Sequence, residues 1–133
     1  MNIKLNGPAI KALERAAVRA LEQTGEALHT EIVQARIVPR RDGNLQGEGF
    51  FVDYSKAQQG TVTLTHSTPY ARRMYFHPEY NFHRTRWVDK SGRSHDGNPN
   101  AKGLWFEDYQ KGGKKGSFAL DAFKALYKKE AGL

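Results

Sequence analysis

The chain contains no cysteine, which excludes disulfides and thiolate metal sites. No stretch approaches the ~18 consecutive apolar residues needed to cross a bilayer. The first eight residues lack the basic-then-apolar layout of a secretory signal. A chain made and used without oxidative stapling is expected, most simply in a cytoplasm and away from membranes. Apolar residues are also scarce, at 38%, and the mean hydropathy is −0.73. With 133 residues, the chain is expected to form one domain over 1–133 with one economical core.

Acidic residues are outnumbered, 14 against 21 basic ones, giving a net charge of +7. The imbalance is local. Residues 1–35 carry Lys4, Lys11, Arg15 and Arg19 against Glu14, Glu22, Glu26 and Glu31, so the whole excess lies in 36–133. A basic surface of this kind favours an acidic partner, nucleic acid or protein.

Recognisable catalytic patterns are missing as well. His77, His83 and His95 cluster in sequence with Glu79, Asp89 and Asp96, a residue set able to bind zinc or activate water. There is no HExxH helix, however, and Pro78 interrupts the first part of the cluster. No carboxylate pair has a glycosidase-like setting. Gly112-Gly113-Lys114-Lys115-Gly116 lacks the frame and hydroxyl of a P-loop, and no serine has nucleophile-elbow surroundings. Non-catalytic work is expected, with no cofactor and no metal.

What is present begins with a long helix over 8–36. Pro8 suits a first helical turn with Asn6 or Gly7 as cap. Ile10, Leu13, Ala17, Leu21, Leu28, Ile32 and Ala35 form an apolar stripe, and Pro39 closes the element. Gly25, which costs about 1 kcal/mol against alanine inside a helix, marks a kink or a close contact. Residues 50–54 and 61–66 read as a strand pair, the second alternating Val62 and Leu64 with threonines. Thr68-Pro69 starts a short helix, threonine as cap, that must stop before Pro78. Thr85–Val88 with the Ser91-Gly92 turn suggests a second hairpin. A short amphipathic helix is expected at 104–110, and Ser117 opens a last helix whose final turn carries Lys128 and Lys129. The class is α+β: a long N-terminal helix, a small antiparallel β-sheet built on a hairpin, short helices and a C-terminal helix.

Cations and rings interleave between 72 and 115. Such mixtures bind phosphate backbones and single strands, and they also anchor protein interfaces. No helix-turn-helix, zinc-finger or RNA-recognition signature accompanies them. The candidate interface residues are Arg40, Arg41, Arg72, Arg73, Tyr75, Tyr80, Phe82, Trp87 and Trp105. Residues 78–103 form a long segment carrying Tyr80, Phe82 and Trp87, expected to order on assembly, with a self-packed hairpin around Trp87 as the alternative.

Two stretches carry a resemblance. Thr68-Pro-Tyr-Ala-Arg-Arg-Met-Tyr-Phe-His-Pro-Glu-Tyr-Asn-Phe82 and Asn98-Pro-Asn-Ala-Lys-Gly-Leu-Trp-Phe-Glu-Asp-Tyr-Gln-Lys-Gly112 resemble the minor capsid proteins of tailed bacteriophages, of the neck, head–tail connector or tail-completion type. Val38-Pro-Arg-Arg-Asp-Gly-Asn-Leu45 is similar to that family's turn after the first helix, although Arg41-Asp42 stands where an acidic residue and threonine are usual. Residues 84–97 are longer than the usual link between the two motifs. The resemblance implies a virion protein assembled in the host cytoplasm, without catalysis, forming a homo-oligomeric ring at the head–tail junction. Its partners would be other connector, neck or tail proteins, with non-specific contact to phage DNA. The alternatives are a basic, non-specific nucleic-acid-binding module and a hydrolase.

Overall fold

In the computed structural model, residues 6–39, 49–80 and 82–133 are described. Helix α1 spans Gly7–Ala35, with the Asn6 side chain accepting from the Ala9 amide at 3.1 Å and proline in the first turn. It ends at Arg36, which adopts the left-handed conformation (φ 56°) and returns its amide to Val33. The cap therefore precedes Pro39 by three residues. At ~1.5 Å per residue the helix is about 43 Å long.

The line that packs most closely is not the large apolar stripe. The buried positions of α1 are Ala16, Ala20, Thr24, Gly25 and Ile32, mostly small residues that admit other elements close to the helix axis. Thr24 donates its hydroxyl to Ala20 O at 2.7 Å, so this buried polar group is satisfied within the helix. Of the two readings of Gly25, close contact is the one observed. A Cβ there would stand 2.7 Å from Val62 Cγ1 and 2.9 Å from Val52 Cγ1.

Those valines belong to the first hairpin. Strand β1 (Phe50–Asp53) pairs antiparallel with β2 (Thr63–His66), setting Phe50 opposite His66 and Val52 opposite Leu64. Phe50 and Val52 are buried while Phe51 between them is exposed, the alternation of a sheet with one covered face. A short 3₁₀ turn, Ala57–Gln59, and left-handed Gly60 occupy the connection. His29 of α1 donates Nε2–H to the Phe50 carbonyl at 2.8 Å, which ties helix to hairpin.

Helix α2 covers Pro69–Tyr75. Thr68 occupies the cap position with extended backbone, but its hydroxyl makes no capping bond. The second hairpin, β3 (Trp87–Val88) with β4 (Ser94–His95), forms as expected. Its turn is organised by Asp89, whose Oδ1 accepts from the Ser91 and Arg93 amides at 2.9 Å and the Ser91 hydroxyl at 2.6 Å. The Ser91 hydroxyl, then the His95 ring and these amides, hold the Asp89 carboxyl well below the usual carboxylate range. The fold class is α+β, with two separate two-stranded sheets.

The helix expected at 104–110 is a correction. Leu104 takes a left-handed conformation (φ 50°), which an α-helix cannot continue, and only a 3₁₀ turn at Glu107–Tyr109 remains. Helix α3 (Phe118–Ala131) then runs antiparallel along α1 and ends on left-handed Gly132. Its far end is tied by Gln23 to Glu130 at 3.0 Å. The approach to its start is tied by Lys115 and the Tyr109 hydroxyl to Glu31. The main core joins Ile32, Ile37, Val38, Phe50, Ala71, Trp105 and Tyr109. No helix among the described residues is long and apolar enough to cross a membrane.

Candidate functional site

The Asn98–Gly112 motif is first of all a clasp. Helix α1 leaves its last carbonyls without helical partners, and this segment supplies donors. Asn98 Nδ2 donates to Arg36 O at 2.8 Å, Asn100 Nδ2 to Ala35 O at 3.4 Å, and the Lys102 amide to Ile37 O at 2.9 Å. The chain then crosses to α2, where Leu104 N donates to Tyr75 O at 2.9 Å. Gly103 packs so close that a Cβ would lie 2.8 Å from Pro78 Cα; only glycine fits there. Lys102 also pairs with Asp108. The end of α1 is thereby fastened to the end of α2.

Trp105 is the centre of this arrangement. It is 0% exposed, with Tyr75 edge-on at 5.0 Å, and its indole Nε1–H donates to His66 Nε2 at 3.2 Å. A side chain so enclosed belongs to this chain's own core. The signal was ambiguous because tryptophan is enriched both in cores and at interfaces.

His66 is the unusual group. Its ring stacks on Phe50 at 4.4 Å, and burial, with a smaller push from His29, lowers its pKa from 6.5 to about 4. It is therefore neutral near neutral pH. Because Nε2 accepts from Trp105, the single proton sits on Nδ1. Among the described residues, that buried Nδ1–H finds no acceptor and the buried Thr68 hydroxyl no partner. An unmatched buried donor costs about 1–3 kcal/mol.

Both residues stand in the wall of one pocket. A cavity of about 310 Å³ opens beside α2, with Ala71, Tyr75, Phe76, Trp105 and Phe106 as its apolar lining and His66, Thr68 and Arg72 as its polar lining. Ala71 and Tyr75 turn inward. Arg72, Arg73, Tyr70 (54%) and Phe76 (60%) face outward. Neither Arg72 nor Arg73 has an ion pair among the described residues. The two arginines sit in the last turn of α2, where the helix dipole favours cations.

The other candidates lie elsewhere. Arg40 and Arg41 fall outside the described residues. Tyr80 stacks on His77 at 4.7 Å and meets Phe82 at 6.1 Å. Phe82 is 9% exposed, with the Arg84 guanidinium over its ring at 5.1 Å. Trp87 lies between His83 (3.9 Å) and His95 (4.4 Å), the self-packed arrangement. His95 further meets Asp89 at 2.8 Å and His77 meets Glu79 at 2.7 Å. Among the described residues, no three histidine or carboxylate groups converge on one point. The structure thus gathers Arg72, Tyr75 and Trp105 around one pocket. It adds His66, Thr68, Phe76 and Phe106, which sequence reasoning missed. His66 passed for the next residue of the alternating strand.

A second surface lies along the first third of α1. Residues 6–15 are all exposed, including Ile10 (37%) and Leu13 (40%). A groove of about 780 Å³ is bounded by Lys11, Glu14, Val18 and Leu21 on α1, Gln58 and Gly60 in the hairpin connection, and Phe123 on α3. No protein-family model, no curated protein and no solved structure matches this chain.

Proposed function

We propose that the chain is a non-catalytic structural subunit of a tailed-bacteriophage particle, forming a homo-oligomeric ring at the head–tail junction. The carrying observation is the exposed first third of α1, residues 7–15. Helices of this length are stabilised mainly by packing of an apolar face, yet Ile10 and Leu13 project from a stretch with no buried residue. A neighbouring subunit supplies the missing cover. A ring requires contacts between two unlike patches of each subunit. The N-terminal helix, with four basic and four acidic residues over 1–35, and the basic remainder of the chain supply two such unlike surfaces. The motif resemblance supports the same reading and suggests contacts with other connector, neck or tail proteins.

Light scattering and electron microscopy of the purified chain, with localisation in intact particles, test the proposal. Closed rings or ring-sized incorporation are expected, abolished by Ile10→Asp with Leu13→Asp while the far-ultraviolet dichroism stays intact. A chain that remains monomeric at all concentrations and is absent from particles overturns it.

The second reading is a non-specific nucleic-acid-binding module, favoured by the exposed Arg72 and Arg73. Phosphate-only binding weakens steeply with salt. Tight, salt-resistant or sequence-dependent binding would place that reading first.

A further inference from the structure

We infer that the pocket beside α2 is a socket for a partner segment presenting one aromatic or branched aliphatic side chain next to a carboxylate. This deepens the assembly reading and rests on it, in taking the α2 face as a partner surface.

Size and lining come first. At about 310 Å³, the cavity is at the small end of the ~300–1,000 Å³ usual for ligand pockets, which suits one side chain better than an extended ligand. Five of the eight lining residues are apolar or aromatic, so the inserted group gains by leaving water. The exposed Phe76 ring at the rim extends that surface outward.

The polar groups specify the rest. Arg72 lines the cavity, is exposed, and has no acidic partner among the described residues. A guanidinium matches a carboxylate through two parallel hydrogen bonds, and Arg73 adds a second positive charge beside it. Thr68 and His66 each bring into the same wall a hydrogen-bonding group without a partner among the described residues. Buried unmatched groups of this kind call for an explanation, and a small rotation of the wall on occupation would bring them an acceptor. The Arg72 guanidinium and the His66 Nδ1–H are donors and the Thr68 hydroxyl can donate, so an acceptor on the occupant matches all three.

Charge also narrows the source. The chain carries +7, and its own exposed arm bears Lys11 and Arg15 beside Glu14, so a second copy is poorly matched to Arg72 and Arg73. An acidic segment of a different protein is the better complement. Single-stranded nucleic acid is less suited, because stacking needs free ring faces. Trp105 is 0% exposed and Tyr75 meets it edge-on, so neither of these rings offers a free face to a base.

The test uses the full, isotope-labelled chain and three small probes followed by nuclear magnetic resonance. N-acetyl-phenylalanine carries ring and carboxylate, N-acetyl-phenylalaninamide lacks the carboxylate, and N-acetyl-aspartate lacks the ring. Saturable shifts at the Trp105 indole and the Thr68 and Ala71 amides are expected with the first probe. They should be at least fivefold weaker with the other two, and at least fivefold weaker in Arg72→Ala. Thr68→Val, nearly isosteric, should fold normally and bind less well. Shifts that never saturate, that ignore the carboxylate, or that survive Arg72→Ala unchanged overturn the inference. So does a thymidine oligonucleotide that moves the same signals at lower concentration. Light scattering on the same samples separates the two proposals. A chain that assembles but ignores the probes loses only the socket, and one that binds them as a monomer loses only the ring.

Discussion

Acidification should loosen this protein through His66 before most of its carboxylates respond. The ring is buried against Phe50 and accepts from Trp105 Nε1–H, so a proton on Nε2 would break that bond and bury a charge. Lowering the pKa from 6.5 to about 4 corresponds to about 3.4 kcal/mol against the charged form. The ring is only partly enclosed, and solvent screening reduces this to about 2 kcal/mol. The sign follows from linkage. Between these two values the unfolded chain binds the proton and the folded chain does not, so stability is fully present above pH 6.5 and is lost as pH falls toward 4. About 1.5 kcal/mol should disappear between about pH 7 and pH 5. Urea unfolding at each pH measures it, with His66→Gln as reference because the amide oxygen still accepts from Trp105 but does not titrate. The two proteins share every other titrating group. Wild type should therefore lose stability more steeply by that amount, and parallel curves would refute the burial argument.

Three further outcomes follow from packing. Gly25→Ala gains helix propensity of about 1 kcal/mol but drives a methyl into Val62 and Val52. A net loss of about 1–2 kcal/mol in chemical denaturation, recovered by adding Val62→Ala, is expected. Trp105→Ala should cost about 3–5 kcal/mol in the isolated chain; a loss visible only during assembly would return Trp105 to the interface. Replacing Asn98 and Asn100 together by alanine should cost about 1–2 kcal/mol and speed hydrogen exchange in the last turn of α1, leaving exchange in α3 unchanged.

Local chemistry made much of the fold legible. Asn6 and Pro8 announced the start of α1, alternation at Val62 and Leu64 announced β2, and the glycine turn announced the β3–β4 hairpin. Long-range geometry was not legible in the same way. Periodicity singled out the large stripe of α1, whereas the closest contacts run along Ala16, Ala20, Thr24 and Gly25, because two elements approach the helix and only small residues admit both. The run Leu104, Trp105, Phe106 and Tyr109 has helical spacing, yet the clasp between α1 and α2 forces Leu104 left-handed and a tertiary constraint overrides the local pattern. Thr68 stands at the cap as its sequence predicts, but among the described residues its hydroxyl finds no partner. Nothing in the local sequence distinguishes a capping threonine from an orphaned one.

The same contrast separates what the two motif stretches do for the fold from what they leave for a partner. Asn98, Asn100, Gly103 and Trp105 join the ends of α1 and α2 or fill the core, so that motif requires no ligand to explain it. In the Thr68–Phe82 stretch, Ala71 and Tyr75 pack inward and His77 pairs with Glu79. Among the described residues Arg72 and Arg73 form no ion pair and Phe76, edge-on to Tyr75, stays exposed, around a pocket with two polar groups unmatched there. Two adjacent helical residues point about 100° apart, so Arg72 and Arg73 cannot both address one carboxylate from the same side. Reversing Arg72 to Glu should therefore abolish probe binding and partner recruitment, whereas Arg73→Glu should weaken the long-range attraction and leave the pocket selective. Neither change should move stability by more than about 0.5 kcal/mol, as is usual for exposed sites. Titration of both variants with N-acetyl-phenylalanine, alongside thermal denaturation, checks this ordering. Equal losses for the two arginines would mean that the face acts as a diffuse positive surface, and the socket would have to be abandoned in favour of phosphate binding.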